Sequence, residues 1–205
     1  MNKISIDERY FPNEELSHSN LPYIDLLSCL DELFAPYNSL FDAGCRDGKL
    51  LEQVKIKHPD ILINGCDYFQ FAIDACHSSI KNDVFVWDLR DPFTEYKKYD
   101  LVVSTEVAEH IDKDYCDVYL NNLKNLSNKY VIITWSNSGG ESNRQVDQHV
   151  QHLNPLSKEE YHKLMKKNAF KFEEEKTNSL INLMQNKSHI HWYWTNTIGV
   201  FSVEE

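Results

Sequence analysis

Apolar positions along the chain recur with two alternating periods. From Leu21 to Ala35, the residues Ile24, Leu27, Leu30, Leu33 and Phe34 fall at helical spacing, and Pro36 closes the run. The stretch SLFDAG (39–44) reads as a buried strand meeting a turn, and Leu50, Leu51, Val54 and Ile56 predict a short helix that ends before Pro59. The alternation then repeats. ILINGCD is strand-like, Phe69 to Ile80 carries a helical apolar face, and VFVWDL and DLVVST predict the third and fourth strands. Val107 through Leu126 has a helical pattern with Val118, Leu120, Leu123 and Leu126 inward, and YVIITW is the fifth strand. Ser157 with Glu160 three residues later forms a capping box that opens a helix running to about Asn168. FKFEEE and HWYWTNTIGVFSV read as two last strands joined by a longer connection.

Five strand-then-helix units require a parallel sheet with helices on both faces, and the two terminal strands predict an antiparallel edge. The expected fold class is therefore α/β, a doubly wound, mostly parallel seven-stranded sheet with an antiparallel C-terminal strand. No repeat or Pro/Gly/Ser linker interrupts the chain, so residues 1–205 read as a single domain. Within it, residues 1–35 are expected to form a helical cap over the site and residues 36–205 the binding core.

Composition narrows the class. Of 205 residues, 41% are hydrophobic, enough for a sizeable core and inconsistent with a disordered chain. Thirty-two acidic against 21 basic residues leave a net charge of −11, which argues against a grip on nucleic-acid phosphates. No apolar run reaches the length of a membrane span. The N-terminal MNKISIDERYF lacks the pattern of a signal peptide. Five cysteines, an odd number with no C-x-x-C pair, suggest reduced thiols in a cytoplasm. Glycine is scarce: six residues, against roughly fourteen at the usual frequency of about 7%. Each should therefore stand where the backbone demands it. Gly44 and Gly48 bracket the first strand-to-helix loop, Gly65 precedes Asp67, Gly139–Gly140 follow the fifth strand, and Gly199 lies in the last. Strand exits are where open α/β sheets build ligand sites.

The first loop, FDAGCRDG (41–48), excludes two phosphate-binding motifs. A G-x-G-x-x-G fingerprint from Gly44 would need glycines where Arg46 and Lys49 stand, and a G-x-x-x-x-G-K loop is one residue longer than Gly44 to Gly48. Asp67 ends the second strand, where an acid can accept hydrogen bonds from two ribose hydroxyls or cap the following helix. Asp88 ends the third strand, and Glu106, Glu109 and His110 follow the fourth.

Taken in order, these residues resemble the class I S-adenosylmethionine-dependent methyltransferases over roughly Ser39 to Val203. Asp42, Gly44 and Gly48 match motif I, D/E-x-G-x-G-x-G, with Arg46 in place of the middle glycine. The resemblance implies S-adenosylmethionine as cofactor, its methionine end held by Asp42, Gly44, Cys45, Arg46 and Gly48. Arg46 would either crowd it or pair with its carboxylate. It further implies Asp67 on the ribose, Tyr68 beside the adenine, Asp88 and the Leu89 main-chain N–H on the adenine edge, and Thr105 at the fourth-strand exit.

YDLVVSTEVAEHID is similar to the fourth-strand motif of the same family. Two carboxylates and an imidazole one turn apart (Glu106, Glu109, His110) can bind a divalent metal, with His149 or His152 completing the set. The pattern resembles small-RNA 3′-terminal 2′-O-methyltransferases, which place a histidine like His152, and ubiquinone-pathway O-methyltransferases, which place one like His149. In other class I members the same motif serves as helix-cap acid and active-site wall. An alcohol or phenol acceptor benefits from a general base, for which His110, His149 and His152 are candidates, with Glu106 beside them. The expected function is methyl transfer to a small-molecule acceptor at oxygen. A metal-dependent RNA 2′-O-methyltransferase and a non-catalytic binding module, the latter suggested by Arg46, are the alternatives. Trp135 either lines the acceptor pocket or packs in the core, and His191 to Trp194 read as sheet packing or a homodimer contact.

Overall fold

In the computed structural model, residues 19–94, 97–137 and 152–203 are described. Helix α1 (Leu21–Phe34) is followed by β1 (Ser39–Ala43), α2 (Lys49–Lys57), β2 (Leu62–Asp67), α3 (Gln70–Ala75), β3 (Val84–Val86) and β4 (Tyr99–Ser104). Then come α4 (Cys116–Leu126), β5 (Ser127–Ile133), α5 (Lys158–Lys167), β6 (Phe170–Phe172), α6 (Glu174–Gln185), α7 (Trp192–Thr197) and β7 (Gly199–Val203). One seven-stranded sheet has the order β3-β2-β1-β4-β5-β7-β6, with β7 antiparallel to both its neighbours and every other pairing parallel.

The central strands β1 and β4 are buried at every position, as expected for strands covered on both faces. One apolar layer gathers Leu27 and Leu30 of α1, Leu50, Leu51 and Val54 of α2, and Leu180 of α6. The other gathers Phe41, Val102, Leu120, Leu123, Met165 and Phe201 beneath α4 and α5. Each such side chain, fully removed from water, contributes roughly 1.5–3 kcal/mol. The capping box forms as its spacing requires: Ser157 Oγ accepts from the Glu160 amide at 3.3 Å, and Glu160 Oε2 accepts from the Ser157 amide at 2.9 Å.

Three expectations change. HWYWTNT is not strand but helix α7, and only Gly199–Val203 pairs, inserted between β5 and β6. The connection after β6 is helix α6, which opens at Glu174 within the acidic run. The helix expected from Val107 shortens to α4; before it the chain makes single 3-10 turns at Ala108–His110 and Lys113–Tyr115. Of α1, only its start reaches the ligand site, through Pro22 and Tyr23. Leu26, Leu27, Cys29 and Leu30 are buried as core. Residues 1–18 of the expected cap, Gly139–Gly140 and His149 lie outside the described residues.

Candidate functional site

Strand order reverses between β1 and β4, so the loops leaving these adjacent strands diverge and open a crevice at their carboxyl ends. A cavity of about 520 Å³ occupies that crevice. Its lining joins the β1 loop (Asp42, Gly44, Cys45, Arg46), the β2 exit (Asp67, Tyr68), the β3 exit (Asp88, Leu89) and the β4 exit (Thr105, Glu106, His110). Sequence separation within this set exceeds sixty residues. The sheet alone brings the set together.

Local geometry explains the loop residues. Gly44 has φ +86°, and a Cβ there would lie 2.2 Å from Val107 Cγ2, so the β1 and β4 loops touch only because the side chain is absent. The Gly44 and Cys45 amides both donate to the Cys66 carbonyl at 2.8 Å, fastening the loop to β2. Arg46 stands at φ +51°, the left-handed region a glycine would take, and its amide donates to Asp67 Oδ2 at 2.8 Å. The arginine thus keeps the loop's backbone path and sends its side chain along the cavity wall. Gly48, expected in the lining, is outside it. At φ +71° it opens α2, and a Cβ there would run into Ile80 Cδ1, so the glycine permits close packing of the loop on Ile80.

The acids differ in their engagement. Asp67 Oδ1 accepts from the Phe69 amide at 3.0 Å and Oδ2 from Arg46, which leaves lone pairs on both oxygens for hydroxyl donors. Burial raises its pKa despite these bonds. Asp42 is pushed up to about 7, first by burial and then by the charges of Asp67 and Asp47. Burial and two neighbouring carboxylates thus both disfavour a charge on Asp42. Asp88 is held in a two-pronged ion pair: Oδ1 accepts from Arg90 Nε at 2.9 Å and Oδ2 from Arg90 Nη2 at 3.0 Å. Arg90, only 2% exposed, also donates from Nη1 to Asp112 Oδ2 at 2.9 Å and lies 5.4 Å from the centre of the Tyr68 ring. The triad ties the β3 exit to the segment that follows His110.

At the β4 exit, Glu106 also has a positive φ (+57°), locked by reciprocal bonds with Thr134. The Glu106 amide donates to Thr134 Oγ1 at 2.8 Å, and that hydroxyl donates to Glu106 Oε1 at 3.0 Å. Such strained residues gather at functional sites. Glu109 lies behind the lining, fully buried, and not on a helix face with Glu106 as expected. Burial first, then the Glu106 charge, raise its carboxyl well above the usual range. Its oxygens make no well-formed hydrogen bond, with the Ser136 amide and the Glu106 carboxyl as their polar neighbours. The Glu109 carbonyl accepts the Leu153 and Asn154 amides at 2.8 and 2.9 Å, which brings His152 to the site, its ring centre 5.0 Å from that of His110. Ligand atoms of Glu109, His110 and His152 lie within 4.8 Å of one another.

The methyltransferase-domain family matches residues 14–175, most of the chain. The protein belongs to that family. It is a class I S-adenosylmethionine-dependent methyltransferase. No curated protein matches it in sequence. The fold is that of a TehB-like methyltransferase from Corynebacterium glutamicum, at 14% identity and a TM-score of 0.60, covering 97% of this chain and 95% of that one. It is also that of magnesium protoporphyrin IX methyltransferase from Synechocystis, solved with S-adenosylhomocysteine (11%, TM-score 0.59, 94% and 92% covered). The plantazolicin methyltransferase BpumL, in complex with a pentazolic desmethylPZN analogue and S-adenosylhomocysteine, gives 18%, a TM-score of 0.65, and 95% and 88% covered. Among the described residues of this methyltransferase, no helix is long and apolar enough to cross a membrane.

Several lining residues of the methyltransferase escaped the sequence. His191, Tyr193 and Trp194 wall the cavity, because α7 crosses the carboxyl ends of the strands before β7 begins. Tyr23 lines the same cavity, and burial, chiefly, with Asp42 and Asp47 raises its hydroxyl to about 12. Arg90 was signalled only by its place between two acids in DLRDP. Trp135 is a core residue, 1% exposed, its ring stacked 6.0 Å from that of Tyr161 and its Nε1 donating to the Asn154 carbonyl at 2.8 Å.

Proposed function

We propose that the enzyme methylates a small-molecule acceptor at oxygen, with the cofactor over the β1–β3 exits and the acceptor beside Glu106 and His110. The observation that carries this is that one cavity is lined both by the acids and glycine of the β1–β3 exits and by Glu106 and His110 of the β4 exit. The residues fit the cofactor. The Gly44 loop packs on Val107 with no side chain between, Asp67 keeps lone pairs for a ribose, and burial and neighbouring acids at Asp42 favour a cation beside it, such as the methionine end carries. In this reading Asp42, Gly44, Cys45 and Arg46 hold that end, Asp67 the ribose, and Tyr68, Asp88 and Leu89 the adenine, with Thr105 beneath.

When bound, the cofactor supplies a methyl group on a positively charged sulfur, which keeps the bonding electrons as the acceptor oxygen bonds the methyl carbon. The protein's part is positioning and proton removal. His110, in the lining beside Glu106, takes the acceptor's hydroxyl proton, and Thr134 fixes Glu106. Calorimetry with S-adenosylhomocysteine tests the cofactor half: binding is expected, and Asp67→Asn abolishes it. Absence of binding, or an unaffected Asp67→Asn variant, overturns the reading. Formation of S-adenosylhomocysteine with hydroxylated acceptors, lost in His110→Ala, tests the rest.

A second reading, metal-dependent 2′-O-methylation of an RNA end, is favoured by the convergence of Glu109, His110 and His152. The donor set, one buried carboxylate and two imidazoles, fits a divalent ion such as Zn²⁺ or Mn²⁺. The net charge of −11 opposes the RNA half of this reading. Activity that survives chelation excludes it.

A further inference from the structure

We propose that Asn154 is a positioning residue of the acceptor site: it clamps residues 152–156 onto the β4 exit and thereby sets His152 against His110 in the cavity wall. The inference rests on the reading above that puts the acceptor beside Glu106 and His110, and it adds a second imidazole there.

Asn154 is buried and is held by three parts of the fold. Its amide N–H donates to the Glu109 carbonyl at 2.9 Å, in the turn after β4. Its own carbonyl accepts from Trp135 Nε1 at 2.8 Å, just past the end of β5. Its side-chain Nδ2 donates to Cys116 Sγ at 2.9 Å, at the first residue of α4. Two neighbours reinforce it: the Leu153 amide shares the Glu109 carbonyl at 2.8 Å, and the Leu156 amide donates to the Ser136 carbonyl at 3.3 Å. The Glu109 carbonyl belongs to the peptide that leads into His110, and the Leu153 amide to the peptide that leaves His152. One hydrogen bond therefore joins the two peptides that adjoin the histidines. Their rings meet edge-on, with centres 5.0 Å apart and planes 68° from parallel.

Filling the core does not need this chemistry. An apolar side chain at 154 and any large ring at 135 would occupy the same space, and a buried amide is costly unless its bonds are made. A satisfied polar network in the interior instead fixes one arrangement of the chain. Of residues 152–156, only His152 lines the cavity, so that imidazole is where the network reaches the site. A neutral imidazole has one ring nitrogen that donates and one that accepts. Beside His110, it gives a hydroxylated acceptor a second hydrogen-bonding group on the same wall.

Two measurements separate positioning from stability. In enzyme carrying isotope-labelled histidine, a nuclear Overhauser contact between the His110 and His152 ring protons is expected, with His110→Gln and His152→Gln assigning the rings. Asn154→Leu, similar in size, should abolish that contact while the variant still unfolds cooperatively and binds S-adenosylhomocysteine within about twofold of wild type. Trp135→Phe keeps a ring against Tyr161 and removes the Nε1 donor. It should do the same, and it carries the test if Asn154→Leu does not fold. In turnover of hydroxylated acceptors, Asn154→Leu should lose as much activity as His152→Ala, and the double variant no more than either, since one residue acts through the other. A ring contact that survives in both variants, or that wild type lacks, overturns the clamp. Losses that add in the double variant, or turnover indifferent to His152→Ala, overturn it too. Wild-type protein that shows the ring contact but binds no S-adenosylhomocysteine overturns the methyltransferase reading instead.

Discussion

Replacing Gly44 by alanine isolates the contact that closes the floor of the cofactor crevice. Two separate penalties arise. The backbone at φ +86° is left-handed, where a Cβ costs about 1–2 kcal/mol. The added methyl would also lie 2.2 Å from Val107 Cγ2, an overlap of the kind that costs about 1–3 kcal/mol when neighbours must move. Against these, alanine restricts the unfolded chain and returns about 0.4–1 kcal/mol. The net expectation is a loss of about 2–4 kcal/mol, read from urea melts with an unchanged slope. At roughly 2–4 °C per kcal/mol for a chain of this size, the melting temperature should fall by about 4–16 °C. Val107→Ala separates the two penalties. In that background the nearest side-chain atom of residue 107 becomes its Cβ at 3.4 Å, an ordinary contact, so Gly44→Ala should cost only the backbone part. The coupling between the two sites is then about 1–3 kcal/mol. A single-variant loss below about 1 kcal/mol, or equal losses in both backgrounds, would refute the reasoning.

Three further expectations follow from the same geometry. Arg90→Leu strands Asp88 and Asp112 without their shared cation and should cost about 3–5 kcal/mol in urea melts. It should also weaken S-adenosylhomocysteine binding by calorimetry; a loss under about 1 kcal/mol removes the triad's structural role. For Asp42 the folded value of about 7 lies above the ordinary 3.8, so the native state holds its proton more tightly than the unfolded chain. The apo enzyme should therefore lose stability as pH rises from the ordinary carboxylate range through about 7, and Asp42→Asn should lose less over that interval. Identical pH profiles for the two proteins count against it. Arg46→Gly relieves a left-handed side-chain residue but loosens the unfolded chain, so its stability should lie within about 1 kcal/mol of wild type by thermal melts.

Much of the fold was legible because local chemistry and global position agree. Five apolar runs marked β1 to β5 in order, with a helical face after each except β3, which leads directly to β4 among the described residues. The Ser157–Glu160 spacing marked the start of α5, and the acids at 42, 67, 88 and 106 fell at strand exits where the sheet collects them. The tail was misread for a physical reason. Tryptophan, tyrosine and threonine favour strands, yet 192–197 is helical, because tertiary packing of Trp194 beside Tyr23 outweighs a propensity of under about 1 kcal/mol per residue. Gly48 falls outside the cavity lining because motif spacing reports a loop's backbone and not which of its residues faces the cavity.

The class of fold and the methyltransferase motif are written in one dimension, since they depend on period, on turn chemistry and on residues near strand ends. Which residues meet around the cavity is set in three dimensions. Arg90 between Asp88 and Asp112, Glu109 and His110 with His152, and His191 and Tyr193 in one lining with Glu106 are all long-range meetings. Such contacts follow from strand order and helix crossing, which one-dimensional spacing does not encode.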